Sequence, residues 1–154
     1  MTKPRTLAAS EPDDIEQVPF PDYEPRSQGA ARYTLTRMGR VRRIGSVSRL
    51  VIPIEREPRG QTCSGGARGS LIVRLAGGTV TRSLPRAIWA AFGDVSRMPS
   101  DEQEWVPWLR HDAPEDPETK TRRCSVEDVV LVSRGDAQRY AMYGVIPDVQ
   151  IPIV

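Results

Sequence analysis

An α+β fold is what this sequence predicts, with small β-sheets or hairpins, a packed helix and an extended proline-rich N-terminal arm. Three observations carry that expectation. Apolar residues between Tyr33 and Val80 alternate with polar ones in short runs broken by Gly and Pro, which is the period of a half-buried strand. Ser83–Gly93 reads as a helix, with a cap, an early proline, a stripe at i, i+4, i+7 and i+8, and a terminal glycine. Residues 1–30 carry Pro4, Pro12, Pro19, Pro21 and Pro25 and no period of either kind.

The first strand is expected at Tyr33 and Leu35. Met38-Gly39 offers a turn, and Val41 and Ile44 continue on the way back. Leu50-Val51-Ile52 with Ile54 forms a second apolar run, closed by Pro53 and Pro58, and Gly60–Gly69 reads as a flexible loop. That loop has no Lys-Ser/Thr after it, so it is not a phosphate-cradling loop. Leu71, Val73 and Leu75 alternate up to Gly77-Gly78, and Thr79-Val80-Thr81 returns, which predicts a hairpin. In the helix that follows, Ser83 is the cap, Pro85 lies in the first turn, and Leu84, Ile88, Ala91 and Phe92 form the apolar stripe. Ser100 to Gln103 reads as a capping box opening a short turn that ends before Pro107. Residues 112–123 are acidic and irregular, and Val129–Val132 predicts a short apolar strand. A second helix is expected from Ser133 to Gly144, and the proline-bearing tail 145–154 is expected to lie extended.

Composition narrows the function classes. No apolar run approaches the roughly 18 residues that a membrane span needs, and no signal-peptide core is seen. Cys63 and Cys124 form no closely spaced metal pattern and read as free thiols of a reducing compartment. The net charge of +2 conceals three blocks. Residues 1–30 carry a net −3, residues 31–97 a net +10 from 13 Arg against three acids, and residues 98–154 a net −5. A basic block of that density attracts phosphate backbones. Its candidate contacts are Arg37, Arg40, Arg42, Arg43, Arg74, Arg82 and Arg86, because the guanidinium fork matches phosphate oxygens. Trp89, Trp105 and Trp108 are expected in the core rather than on a base-stacking platform.

Five ordered pieces carry a resemblance: "PDYE" at Pro21–Glu24, "YTLTRMGRVRR" at Tyr33–Arg43, "TRSLPRAIWAAFG" at Thr81–Gly93, and the pair "RHDAP" and "VEDVVLVSRGDA" at Arg110–Pro114 and Val126–Ala137. The first three resemble the nuclease-associated modular domain of phage and intron HNH homing endonucleases, with Thr36 where Ser is usual and Ser83 where His is usual. The last pair resembles the two ends of the ββα-metal nuclease motif. The resemblance implies a nucleic-acid-binding module over 31–97 and a degenerate ββα unit over 98–144. It places His111 at the general base, and Asp112 and Asp128 at the metal-ligand and middle positions, with Mg²⁺ as cofactor only if the site is active. Asp128 stands where the family has Asn, Ala137 where it has a second ligand, and the sequence contains no Asn at all.

Two function classes follow. The first is a DNA-binding protein derived from an HNH homing-type endonuclease and lacking nuclease activity, in the cytoplasm of a bacterial host. The second is a structural or assembly protein, for instance a phage virion component, that docks residues 1–30 on another chain or on a second copy. Neither takes a small-molecule substrate or a membrane as partner.

Overall fold

The computed structural model describes residues 16–25, 31–55 and 70–154. The loop Gly60–Gly69, Cys63 and most of the expected arm lie outside the described residues. Three small antiparallel sheets and two helices make up the rest, as the α+β expectation requires.

The first sheet runs in order through β1 (Gln17–Pro19), β2 (Arg32–Thr36), β3 (Val41–Ile44) and β4 (Arg49–Val51). Its register places Val18, Leu35, Val41 and Val51 in one row across the sheet. Leu35 and Val41 are fully buried there, each stabilising the fold by roughly 1.5–3 kcal/mol through removal of its side chain from water. The expected turn at Met38-Gly39 closes β2 onto β3. Gly39 has φ +84°, and a Cβ there would sit 2.2 Å from the Cys124 carbonyl oxygen, so both backbone shape and close approach demand glycine.

The arm is partly folded into this sheet. β1 pairs with β2, and Phe20 is buried in the core. Only residues 16–25 of the expected arm are described, and these rest on the first sheet. One short strand and one aromatic suffice; Pro19 is tolerated because β1 is an edge strand, and Pro21 lies in the turn beyond it.

The second sheet holds β5 (Ile54–Glu55), β6 (Leu71–Leu75) and β7 (Val80–Ser83), with the expected hairpin between β6 and β7. The helix α1 (Leu84–Phe92) follows directly, and Ser83 Oγ accepts the Arg86 N–H at 3.4 Å as its cap. Gly93 ends it in an extended rather than a left-handed conformation. The reason for glycine there is the Trp89 ring, 2.1 Å from where a Cβ would stand.

The third sheet has β9 (Val129–Ser133) between β8 (Trp105–Leu109) and β10 (Ile151–Pro152), and the helix α2 (Arg134–Tyr143) follows β9. Every residue of β9 is buried, because the strand is covered on both faces. Val129 and Leu131 face the main core, while Val130 and Val132 meet Trp108, Ala137 and Tyr140. Ser133 caps α2 and Gly144 stops it at φ +75°. The expected turn before Pro107 is instead a bend at residues 101–103 followed by β8. Pro107 sits inside that strand, which is an edge and asks no ladder donor of it. The C-terminal tail becomes β10, its Ile153 fully buried and its Ile153 carbonyl accepting the Asp94 N–H at 2.7 Å. One core therefore draws on Phe20, Leu35, Ile88, Leu109, Val129 and Ile153.

Candidate nucleic-acid interface

The sheet register distributes the basic block over several surfaces, because adjacent strand residues point to opposite faces. In β2–β4 one row reads Tyr33, Arg43, Arg49, and the next Thr34, Arg42, Leu50, with Arg32 opposite Ile44 beyond it. Arg43 and Arg49 thus stand directly across from each other on the core-side face, past the point where the core ends, and both are exposed. Arg32 and Arg42 are diagonal neighbours on the other face. Among the described residues, no carboxylate pairs with any of these four. Like charges directly opposite each other in a sheet are destabilising unless an anion joins them. The tip Gly45–Arg49 between the strands is exposed throughout.

Of the seven arginines singled out from sequence, Arg42 and Arg43 belong to this hairpin. Arg74 and Arg82 lie on opposite faces of the second sheet, since Arg74 pairs with Thr81 and Arg82 with Val73. Arg86 is exposed on α1 and has no ion-pair partner among the described residues. Arg37 is engaged by Glu16 at 2.9 Å and lies over the Phe92 ring, 5.0 Å from its centroid.

Arg40 is a correction. It is 4% exposed and forms parallel hydrogen bonds to both Asp116 oxygens at 3.1 and 3.0 Å. Its remaining nitrogen lies 3.0 Å from Glu118 Oε1, close but not aligned as a hydrogen bond. No phosphate can reach it. The sequence signal was the neighbouring arginines; what decides its role is an acidic segment 76 residues away.

That acidic segment, 110–128, is fastened throughout by such pairs. Arg122 donates to Glu55 from its backbone N–H and its Nε, at 3.0 and 3.1 Å, and its side chain also donates to the Arg110 carbonyl at 3.0 Å. Asp128 accepts from Arg123 at 2.7 and 3.0 Å and from the Ser125 N–H and hydroxyl at 2.9 and 2.7 Å. Burial raises the Asp128 pKa, but these donors more than offset it and hold the carboxyl below its ordinary value. Burial also pushes the free Cys124 thiol well up, with the Asp128 charge adding to it, so that it is not a reactive thiolate.

The residues present do not fit the divalent metal that the resemblance implies. Both Asp128 oxygens are already taken by donors, which corrects its expected place among the ligands. Asp112 is exposed, and its hydrogen bonds from Arg110 at 3.2 and 3.3 Å lower its pKa. His111 is exposed, its ring 6.5 Å from that of Trp108, and Ala137 packs against Trp108, Val130 and Val132. Among the described residues, no group of three or more His, Cys, Asp or Glu side chains is placed to hold a metal ion.

Arg32 and Arg49 were missed by sequence reasoning. The usable signal was symmetry about Ser46, which makes Arg43 and Arg49, Arg42 and Leu50, and Val41 and Val51 cross-strand partners. Among the described residues, no helix is long and apolar enough to cross a membrane. No family model, no curated protein and no solved structure matches this chain.

Proposed function

We propose that this chain binds double-stranded nucleic acid through the β3–β4 hairpin, without cutting it. The observation that carries the reading is the cross-strand pair Arg43 and Arg49, held side by side on an exposed tip with no acidic partner among the described residues. Arg32 on β2 and Arg42 on β3 add cations on the reverse face, so this end of the four-stranded sheet carries guanidinium groups on both faces. Their forks match the oxygens of a phosphate backbone, whose contacts position a protein on a duplex. Arg74 and Arg86 add exposed charge outside the hairpin.

The test is a low-salt gel shift with duplex DNA, repeated with an Arg43→Glu/Arg49→Glu variant across a salt series. The variant should bind at least tenfold more weakly, and the slope of log affinity against log salt should flatten by about 1–2. Equal affinity and equal slope for the two proteins would remove the hairpin from the interface.

Protein–protein assembly is the second reading, favoured by a run of exposed apolar residues at the end of α2 and beyond, namely Met142, Tyr143, Val145, Ile146 and Val149. Sedimentation of the full chain, compared with a Tyr143→Ser/Ile146→Ser variant, separates self-association from none.

A further inference from the structure

A groove of about 460 Å³ opens between α1, β8 and the Phe20–Asp22 turn, away from the β3–β4 tip in sequence and in sheet. Phe20, Trp89, Trp105 and Pro107 line it; both indoles pack against the core, as expected, and remain half-buried, so part of each borders the groove. The Trp105 ring is pinned from outside, its Nε1–H donating to Asp101 Oδ1 at 2.8 Å. Two arginines stand on the groove's rim. Arg82 is fixed by hydrogen bonds to the Asp22 carbonyl, 3.2 Å from both Nε and a terminal nitrogen, and to the Thr81 carbonyl at 3.0 Å. Arg86 faces the same groove without an ion pair among the described residues.

Two carboxylates also border it, and each has an arginine of its own: Glu104 is matched by Arg134 at 2.8 Å, and Asp22 by Arg82 at 3.9 Å. Arg86 is the arginine of this rim without an ion pair among the described residues. A ligand complementary to this groove has a flat aromatic part for the indoles and a negative charge for Arg86. A purely apolar ligand would leave Arg86 unused, and a bare anion would leave the tryptophans unused.

We propose that this groove holds one nucleotide of a single-stranded nucleic acid, its base against the indoles and its phosphate on Arg86. The ligand class rests on the nucleic-acid reading above, but the surface is separate from the β3–β4 hairpin. Base–aromatic stacking contributes enough per base that loss of either half of the site is measurable.

Titrating the full chain with a short oligothymidylate at low salt should quench tryptophan fluorescence saturably. Arg86→Glu, an exposed substitution that leaves the fold intact, should weaken that binding about tenfold or more, as should Trp105→Ala if the protein remains folded. Arg43→Glu/Arg49→Glu should leave oligonucleotide quenching within about twofold while losing duplex binding, so failure of the hairpin reading is told apart from failure of this one. Unchanged affinity in Arg86→Glu overturns the proposal, as does the absence of quenching. Competition by polyglutamate as effective as by oligothymidylate would overturn it too, since that would mark a general anion surface or a peptide groove.

Discussion

Arg40 and Asp116 face each other through two parallel hydrogen bonds of 3.1 and 3.0 Å, each side chain only 4% exposed. The pair bolts the β2–β3 turn to the acidic 110–128 segment, and it turns part of the apparent charge segregation into internal structure. Removing one partner from such a pair leaves a buried charge uncompensated.

Arg40→Met should therefore destabilise the protein by about 3–5 kcal/mol, read as a lower urea midpoint at unchanged slope. Adding Asp116→Leu to it should recover part of that loss, because the two facing charges are removed together while Glu118 still loses its cation. A loss below about 1 kcal/mol for Arg40→Met would show that the pair is dispensable.

Gly39→Ala and Gly77→Ala separate backbone strain from steric collision. Gly77 has φ +69° and nothing within 4 Å of a new Cβ, so alanine there should cost about 1–2 kcal/mol. At Gly39 the same left-handed strain is joined by a 2.2 Å approach to the Cys124 carbonyl. The cost should exceed that of Gly77→Ala by at least about 2 kcal/mol in parallel denaturation curves. Equal costs would mean that the turn can move away from the 124 segment.

Asp128 gives the molecule an acid limb. Its folded pKa lies below the ordinary 3.8, so its contribution is present above that value and is lost as pH falls through the folded one. Stability measured from pH 6 downward should decline below about pH 4, and Asp128→Asn should be flatter across that window. At neutral pH the variant should be less stable by about 2–3 kcal/mol, since Arg123 and Ser125 lose their acceptor charge. An identical pH profile in the two proteins would assign the acid limb to other carboxylates.

Purified protein should leave supercoiled plasmid uncut in Mg²⁺ or Mn²⁺. Asp128 is committed to Arg123 and Ser125, and Ala137 offers no donor atom. Nicking that vanishes in His111→Ala would contradict this and return Asp112 and Asp128 to the ligand role.

Local chemistry was legible in the sequence wherever short range decides it. The Ser83 and Ser133 caps, the Gly144 stop, the β6–β7 hairpin and the alternation that buries Tyr33, Leu35, Val41 and Val73 all follow from neighbours a few residues apart. The basic block too was plain. Which arginines remain available to a phosphate was not, because each position depends on partners that only the tertiary fold supplies. Register sends Arg42 and Arg43 to opposite faces and sets Arg49 beside Arg43. Asp116 and Glu118 take Arg40, and Glu16 takes Arg37. Long-range packing likewise decided that Phe20 and Ile153 join one core from the two ends of the described chain, and that Pro107 sits in a strand. An apolar residue in a proline-rich stretch declares its hydrophobicity locally. The surface that buries it belongs to strands and helices far away in sequence.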